Sequence, residues 1–454
     1  SLVWAEAQDG GDPSVEVAFR DKVYQSDAPF SGNARFLAAT RNRYYGATWG
    51  NQKMAVIYDY WWKNRNTITY FIDPSKENAD PKIIFNRSTE DYYGDPGDFL
   101  TKRNQYNERT LWFSSDGKKL YLQGEGYSPE GNKPFVDEFD IKQLKSHRLW
   151  QADGISTYES IVRVVDPTAK KMITSVESKE QNPNFFLRTN QKLKPLTSFP
   201  NPYASFMGVS KERVRYKRAD GVDLSATLYL PSGYDSLRDG RLPMLMWAYP
   251  VEYKDAQQAG QIKESPHTFV QLYYGSPVYW AARGYAILDD ADFPIIGEGN
   301  SEPNDSFVEQ LVSNAAAAID YAVARGVADR RRIAIGGHSY GAFMTANLMA
   351  HCDLFAAGIA RSGAYNRSLT PFGFQSEERT FWEAPEVYLT MSPFVHADKI
   401  NEPLLLIHGD ADNNPGTFTL QSERLFGAIK GLGGTARLVL LPYESHGYNA
   451  RENI

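Results

Sequence analysis

The chain has 454 residues, too long for one ordinary domain, and its 42% hydrophobic residues, 35 glycines and 25 prolines describe a well-folded, turn-rich globular protein of two domains. A formal net charge of −6 and a pI near 5.8 argue against nucleic acid or an anionic membrane as partner, and no run is basic enough to reverse that. No span approaches the ~20 apolar residues that cross a bilayer. The N-terminus lacks the basic-then-apolar pattern of a signal peptide, so the expectation is a soluble protein, plastid or periplasmic if a targeting segment has been removed. Cys352 is the single cysteine, which excludes an intrachain disulfide framework and a thiolate metal cluster and reads as a buried helix residue.

Up to about Tyr203 the chain reads as all-β. The candidate strands are residues 55–62, 67–72, 110–113, 119–122, 135–140, 160–165, 172–177 and 184–188, rich in β-branched and aromatic side chains. Turn signals such as Asp73-Pro74, Asp95-Pro96-Gly97, Ser115-Asp116-Gly117 and Asp166-Pro167 separate them. A cassette of strand, polar turn and strand recurs over 67–84, 135–150 and 184–196, a spacing compatible with β-propeller blades. A β-sandwich with irregular loops is the alternative.

The proline-rich join Phe199-Pro-Asn-Pro202 marks a boundary, giving domains 1–203 and 204–454. Beyond it strands and helices alternate. Strands are expected at 214–216, 224–230, 243–248, 285–288, 333–335, 357–360, 404–408 and 437–441, with helical stretches near 278–283, 307–324 and 418–429. Such alternation implies a doubly wound, mostly parallel sheet with helices on both faces, and ligands at the strand C-termini.

The chemistry concentrates at Gly337-His338-Ser339-Tyr340-Gly341, between an apolar strand and an apolar helix. This fits a nucleophile elbow, which exposes a serine at a helix N-terminus. An ordinary N-capping serine is the bland alternative, and the neighbours decide. This elbow type uses the order serine, acid, histidine. His446 is the one histidine after the strand ending at His408, in a loop past the last expected strand, and Asp410 and Asp412 follow the strand 404–408.

Gly336-Gly-His-Ser-Tyr-Gly-Ala342, Leu406-Ile-His-Gly-Asp-Ala-Asp-Asn-Asn414 and Glu444-Ser-His-Gly447 resemble the three catalytic motifs of the prolyl oligopeptidase family of serine peptidases. The glutamyl endopeptidase branch is the nearest likeness, through Trp247-Ala-Tyr-Pro250, residues 361–375 and 412–417, and Trp4-Ala-Glu-Ala-Gln-Asp9 and Gly124-Glu-Gly-Tyr127 in the β part. The resemblance implies a β-propeller followed by an α/β-hydrolase domain, with the active site facing the cavity between them. Only about half of a seven-bladed propeller fits before Tyr203 at ~40 to 50 residues per blade, and the chain stops 8 residues after His446, so a fragment is expected.

Carried over, Ser339 is the nucleophile, His446 the base and Asp412, rather than Asp410, the orienting acid. The backbone N–H of Tyr340 and the hydroxyl of Tyr249 would form the oxyanion hole. Glutamyl specificity asks for a cation, and Arg367 is the first choice, with Arg361 and Arg379 behind it. The expected substrates are peptides, with no cofactor and no metal. An oligopeptidase or acylaminoacyl-peptidase of other specificity, an esterase, and a non-catalytic binding protein are the alternatives.

Overall fold

The computed structural model describes residues 1–76, 80–273 and 275–453. It divides into two compact units, one of residues 1–200 with 261–269, the other of 201–260 with 270–454.

The first unit is a succession of small antiparallel sheets. Leu2–Ala7, Asp21–Ser26 and Arg35–Thr40 form a three-stranded sheet, and Arg43–Asn51, Met54–Trp61, Asn66–Ile72 and Lys82–Ser88 a four-stranded one in sequence order. Two further four-stranded sheets follow. One joins Asp98–Phe99, Lys119–Gly124, Phe135–Asp140 and Lys145–Gln151; the other is the meander Tyr158–Asp166, Lys171–Glu177, Asn184–Thr189 and Lys192–Pro195. The three expected cassettes are three of their hairpins.

Neighbouring residues of one strand serve different cores. Ala55 and Ile57 pack with Val23, Leu37 and Ile68, whereas Val56 between them packs with Phe71, Leu120 and Phe139. Leu120 and Tyr121 diverge in the same way, Tyr121 packing with Val136, Val164 and Met172. Side chains alternate across a strand, so a sheet that buries both faces needs apolar residues at successive positions. That is why 55–57 reads as an unbroken apolar run, and why the sheets behave as stacked propeller blades rather than as the two halves of a sandwich.

Eight strands form the sheet of the second unit: β1 (Ser210–Lys217), β2 (Asp223–Leu230), β3 (Leu242–Tyr253), β4 (Ala286–Ile296), β5 (Ala328–His338), β6 (Ala357–Arg361), β7 (Leu404–Gly409) and β8 (Ala436–Leu441). Their order is β1-β2-β4-β3-β5-β6-β7-β8, antiparallel in the β1–β2 and β2–β4 pairs and parallel thereafter. Helix α1 (Phe307–Ala324) buries Phe307, Leu311, Ala315, Ala318, Ile319 and Ala322, the spacing of one helical face. Helix α2 (Tyr340–His351) is buried from Tyr340 to Ala350, so its all-round apolar sequence belongs to a central helix. Helix α3 (Leu420–Gly431) packs on β7 and β8. The helical stretch expected near 278–283 is a 3₁₀ segment, Pro277–Arg283, and Cys352 lies half-buried just past α2 rather than within it.

Asp59 ties the second small sheet together. It is fully buried and accepts hydrogen bonds from Asn42 N (3.0 Å), Asn42 Nδ2 (3.0 Å), Ile68 N (2.8 Å) and Tyr70 Oη (2.8 Å). Asp59→Ala takes this acceptor from Asn42 N, Ile68 N and Tyr70 Oη, while Asn42 Nδ2 keeps Asn66 Oδ1 at 2.9 Å, and should destabilise the protein by about 3 kcal/mol. Urea denaturation followed by tryptophan fluorescence measures it, and a loss below about 1 kcal/mol would show that water replaces the carboxylate there.

Candidate active site

β5 runs into Ser339 and α2 leaves it, so the serine occupies the strand-to-helix turn at the centre of the sheet. Its backbone sits at φ 57°, ψ −116°, a region that costs an L residue on the order of 1 to 3 kcal/mol. Its side chain makes no capping hydrogen bond, which removes the ordinary N-cap reading. The flanking glycines are required by close approach. A Cβ at Gly337 would lie 2.4 Å from the carbonyl carbon of Gly341, and a Cβ at Gly341 would lie 2.5 Å from the carbonyl oxygen of Ala248.

With its side chain free of the helix, Ser339 Oγ lies 2.9 Å from His446 Nε2, and His446 Nδ1 lies 2.9 Å from Asp412 Oδ2. An ionised carboxylate only accepts, so Nδ1 carries the proton and Nε2 is left to accept from the Ser339 hydroxyl. The Asp412 side chain is fully buried. Burial pushes its carboxyl up, but hydrogen bonds from His446 and Asn414 and the nearby histidines outweigh that and hold it below the usual range. Asp410, by contrast, is exposed and accepts from the backbone N–H of Tyr443. The geometry therefore brings Ser339, His446 and Asp412 together and leaves Asp410 out.

Four neighbours escaped the reading of the sequence. Thr417 Oγ1 lies 3.2 Å from Asp412 Oδ2 and 3.1 Å from His446 Nδ1. His408 Nε2 lies 3.0 Å from the same carboxylate oxygen. Glu444 anchors the His446 loop, its carboxylate accepting from Asn449 N (2.9 Å), Ala450 N (2.7 Å) and Asn453 Nδ2 (3.0 Å). The ring of His338 lies 4.9 Å from that of His446. The available signal was placement alone, in that all four are polar residues within five positions of a motif residue at a strand end.

A cavity of about 420 Å³ opens beside Ser339, lined among others by Tyr340, Arg367, Phe374, Gln375 and Asn414. The backbone N–H of Tyr340 belongs to the first turn of α2, where it has no intrahelical acceptor. The Tyr249 ring packs against that of Tyr340 at 6.0 Å, and burial pushes its phenol up, with Ser339 and Gln375 acting in the opposite direction.

The three arginines separate cleanly. Arg379 lies 2.8 Å from both Glu377 and Asp305, so its charge is neutralised. Arg361 donates to the carbonyl of Gly275 (3.1 Å) and lies over the rings of Tyr448 and Trp247. Arg367 is 4% exposed and has no ion pair among the described residues; its Nε has no hydrogen-bond partner. Its guanidinium sits between the rings of Phe343 (4.1 Å) and Phe374 (4.2 Å). Burial pulls its pKa down to about 10, with Tyr340 and Glu252 opposing, so it stays charged at neutral pH. Among the described residues, no group of three His, Cys, Asp or Glu side chains is placed to hold a metal ion.

Residues 308–454 match the model of the prolyl oligopeptidase family. They are a prolyl oligopeptidase family domain. The whole chain is 49% identical to the probable chloroplastic glutamyl endopeptidase of Arabidopsis thaliana, covering 49% of that protein, and 49% identical to its counterpart in Oryza sativa subsp. japonica, covering 50%. The chain thus spans about half the length of the curated relatives it matches. Among solved structures, a puromycin-hydrolysing peptidase of Mycobacterium tuberculosis aligns with TM-score 0.62 and 16% identity, over 94% of this chain and 62% of its own. The Pyrococcus horikoshii acylaminoacyl peptidase aligns with TM-score 0.63 and 17% identity, over 98% and 65%. These two show the shared fold, propeller-like sheets followed by a hydrolase unit.

His338 supplies a pH test. Burial, with Arg361 and His446 adding repulsion, pulls its pKa from 6.5 down to about 4. The unfolded chain therefore takes up a proton near pH 6.5 that the native state refuses until about pH 4. Stability contributed by the neutral ring is present above pH 6.5 and is lost between 6.5 and 4, by on the order of 3 kcal/mol for this group alone. His338→Gln should flatten that part of the stability profile, read by denaturant unfolding at pH 4.5 and 7.5; an unaltered difference between the two would contradict it.

Proposed function

We propose that the protein is a serine endopeptidase that cleaves peptides after glutamate through an acyl-enzyme on Ser339. The observation that carries the reading is a hydrogen-bonded Ser339–His446–Asp412 chain whose serine opens on a cavity lined by a buried arginine that has no ion pair among the described residues.

In this mechanism the Ser339 oxygen attacks the scissile carbonyl while His446 Nε2 takes its proton. Asp412 holds the Nδ1–H tautomer and stabilises the imidazolium. The negative charge on the carbonyl oxygen is received by the Tyr340 N–H and the Tyr249 hydroxyl, donors fixed before the reaction begins. His446 then protonates the leaving amine, water enters, and the same base delivers it to the ester. Arg367 is the residue for the substrate carboxylate: a buried cation among aromatic rings, with no ion pair among the described residues, gains most when a carboxylate arrives, through two parallel hydrogen bonds. Arg379 and Arg361 already have partners. The 49% identity to two probable glutamyl endopeptidases supports this specificity, and their chloroplastic names support a plastid location. No helix among the described residues is long and apolar enough to cross a membrane.

Ser339→Ala should abolish labelling by a fluorophosphonate probe while leaving thermal unfolding intact. Asp412→Asn should lower kcat by several orders of magnitude, about 10⁴-fold on the scale of such triads. If Asp410→Asn proved the more damaging change, the acid would be misassigned.

For specificity, Arg367→Ala should cost roughly 1.5 to 3 kcal/mol of transition-state binding for glutamyl peptides and much less for glutaminyl ones. The measurement is kcat/KM on matched peptides with Glu or Gln before the scissile bond. An unchanged Glu-to-Gln ratio would remove Arg367 from the pocket, and preference for another residue or for a blocked N-terminus would favour an oligopeptidase or acylaminoacyl-peptidase.

A further inference from the structure

We infer that His408 is a positioning residue for this reaction: its Nε2–H shares the Asp412 oxygen that holds His446, and so sets how strongly Asp412 stabilises a proton on the His446 ring. The inference rests on the reading of Asp412 as the orienting acid.

His408 is the penultimate residue of β7, four positions before Asp412, and its side chain is fully buried. Nε2 approaches Asp412 Oδ2 at 3.0 Å, and Nδ1 approaches Ser422 Oγ, on α3, at 2.7 Å. Because the ionised carboxylate only accepts, the Nε2 of a neutral ring must bear its proton, and Nδ1 must then accept from the Ser422 hydroxyl. Ser422 thereby fixes the tautomer that faces Asp412. Burial keeps the ring neutral, pulling its pKa down against the pull of Asp412.

A histidine serving only the core could point at any acceptor, whereas this one uses the oxygen that also takes the His446 proton, with Thr417 Oγ1 as a third contact at 3.2 Å. The other oxygen is occupied by Asn414 N at 2.9 Å. Two other ionisable groups feel Asp412 without donating to it: the His338 ring packs on His446, with Arg361, His446, Asp412 and His408 all acting on it, and Tyr448 pairs with Ser362. Glu444 is turned to Asn449 and Ala450, and Asp410 to Tyr443.

Each donor on Oδ2 draws off some of the charge available to the others. With the His408 donor removed, Asp412 stabilises the His446 imidazolium more strongly, so activity should begin at higher pH. The carboxylate also loses lateral support, so the plateau should fall.

The test is the second-order rate of fluorophosphonate labelling as a function of pH, for the 454-residue chain and three variants. In His408→Leu the acid limb should move upward by roughly half a unit to one unit. His408→Gln, whose side-chain amide can still donate, should return it toward the wild-type position. Ser422→Ala, a small change that releases the tautomer, should shift it in the same direction by less, and carries the test with His408→Gln should His408→Leu fail to fold. An acid limb unmoved in both His408→Leu and Ser422→Ala, or a Gln variant indistinguishable from Leu, would reduce His408 to a core residue. Failure of the wild-type chain to label at any pH would overturn the nucleophile assignment and this inference with it; labelling with an unmoved limb overturns the inference alone.

Discussion

A carboxylate held ionised out of water has to be compensated by donors aimed at it, and Asp412 gathers them from separate parts of the chain. His408 comes from the end of β7, Asn414 and Thr417 from the loop beyond, and His446 from the loop after β8. Bringing these loops together leaves little space. A Cβ at Gly409 would lie 2.3 Å from the carbonyl oxygen of Glu444, and Ala411 N donates to that same oxygen at 3.0 Å. The position of the His446 ring over Ser339 follows from satisfying the Asp412 charge.

Arg367 presents the opposite situation. It is as deeply buried as Asp412, yet it has aromatic faces where a counter-ion would be expected. Ring quadrupoles recover part of the lost solvation of a guanidinium. They do not satisfy its N–H groups, and the Nε remains without a partner. Asp412 is thus a fully compensated anion beneath the catalytic histidine, whereas Arg367, which lines the cavity, is an incompletely compensated cation that a bound carboxylate would complete.

Much of this was legible in the sequence because strand ends are legible. The order of Ser339, Asp412 and His446 could be read once the apolar strands of the second unit were placed, and α1 was bounded correctly by its periodicity. Choosing Asp412 over Asp410 required the family resemblance, since both follow the same strand. The sequence put Arg367 first among the arginines, but the partners that distinguish them were opaque where they are remote in sequence: Asp305, beside the nearby Glu377, for Arg379, Gly275 for Arg361, Phe343 for Arg367. The pairing of His408 with Ser422 across fourteen residues was hidden for the same reason. In the first unit, Asp21–Ser26 carries too few apolar residues to announce itself as a strand, and nothing in composition marks 261–269 as packing with residues 1–200.

The backbone at the cavity is not relaxed. Ser339 and Gln375, both lining it, have φ of 57° and 52°, and Ser362, just beyond β6, has φ of 50°. Glycine would occupy each of these conformations without strain. At position 339 selection for stability and selection for chemistry therefore pull apart, because the substitution that relieves the turn also deletes the hydroxyl. A lineage of this chain freed from its reaction would be expected to lose the serine early and keep the fold.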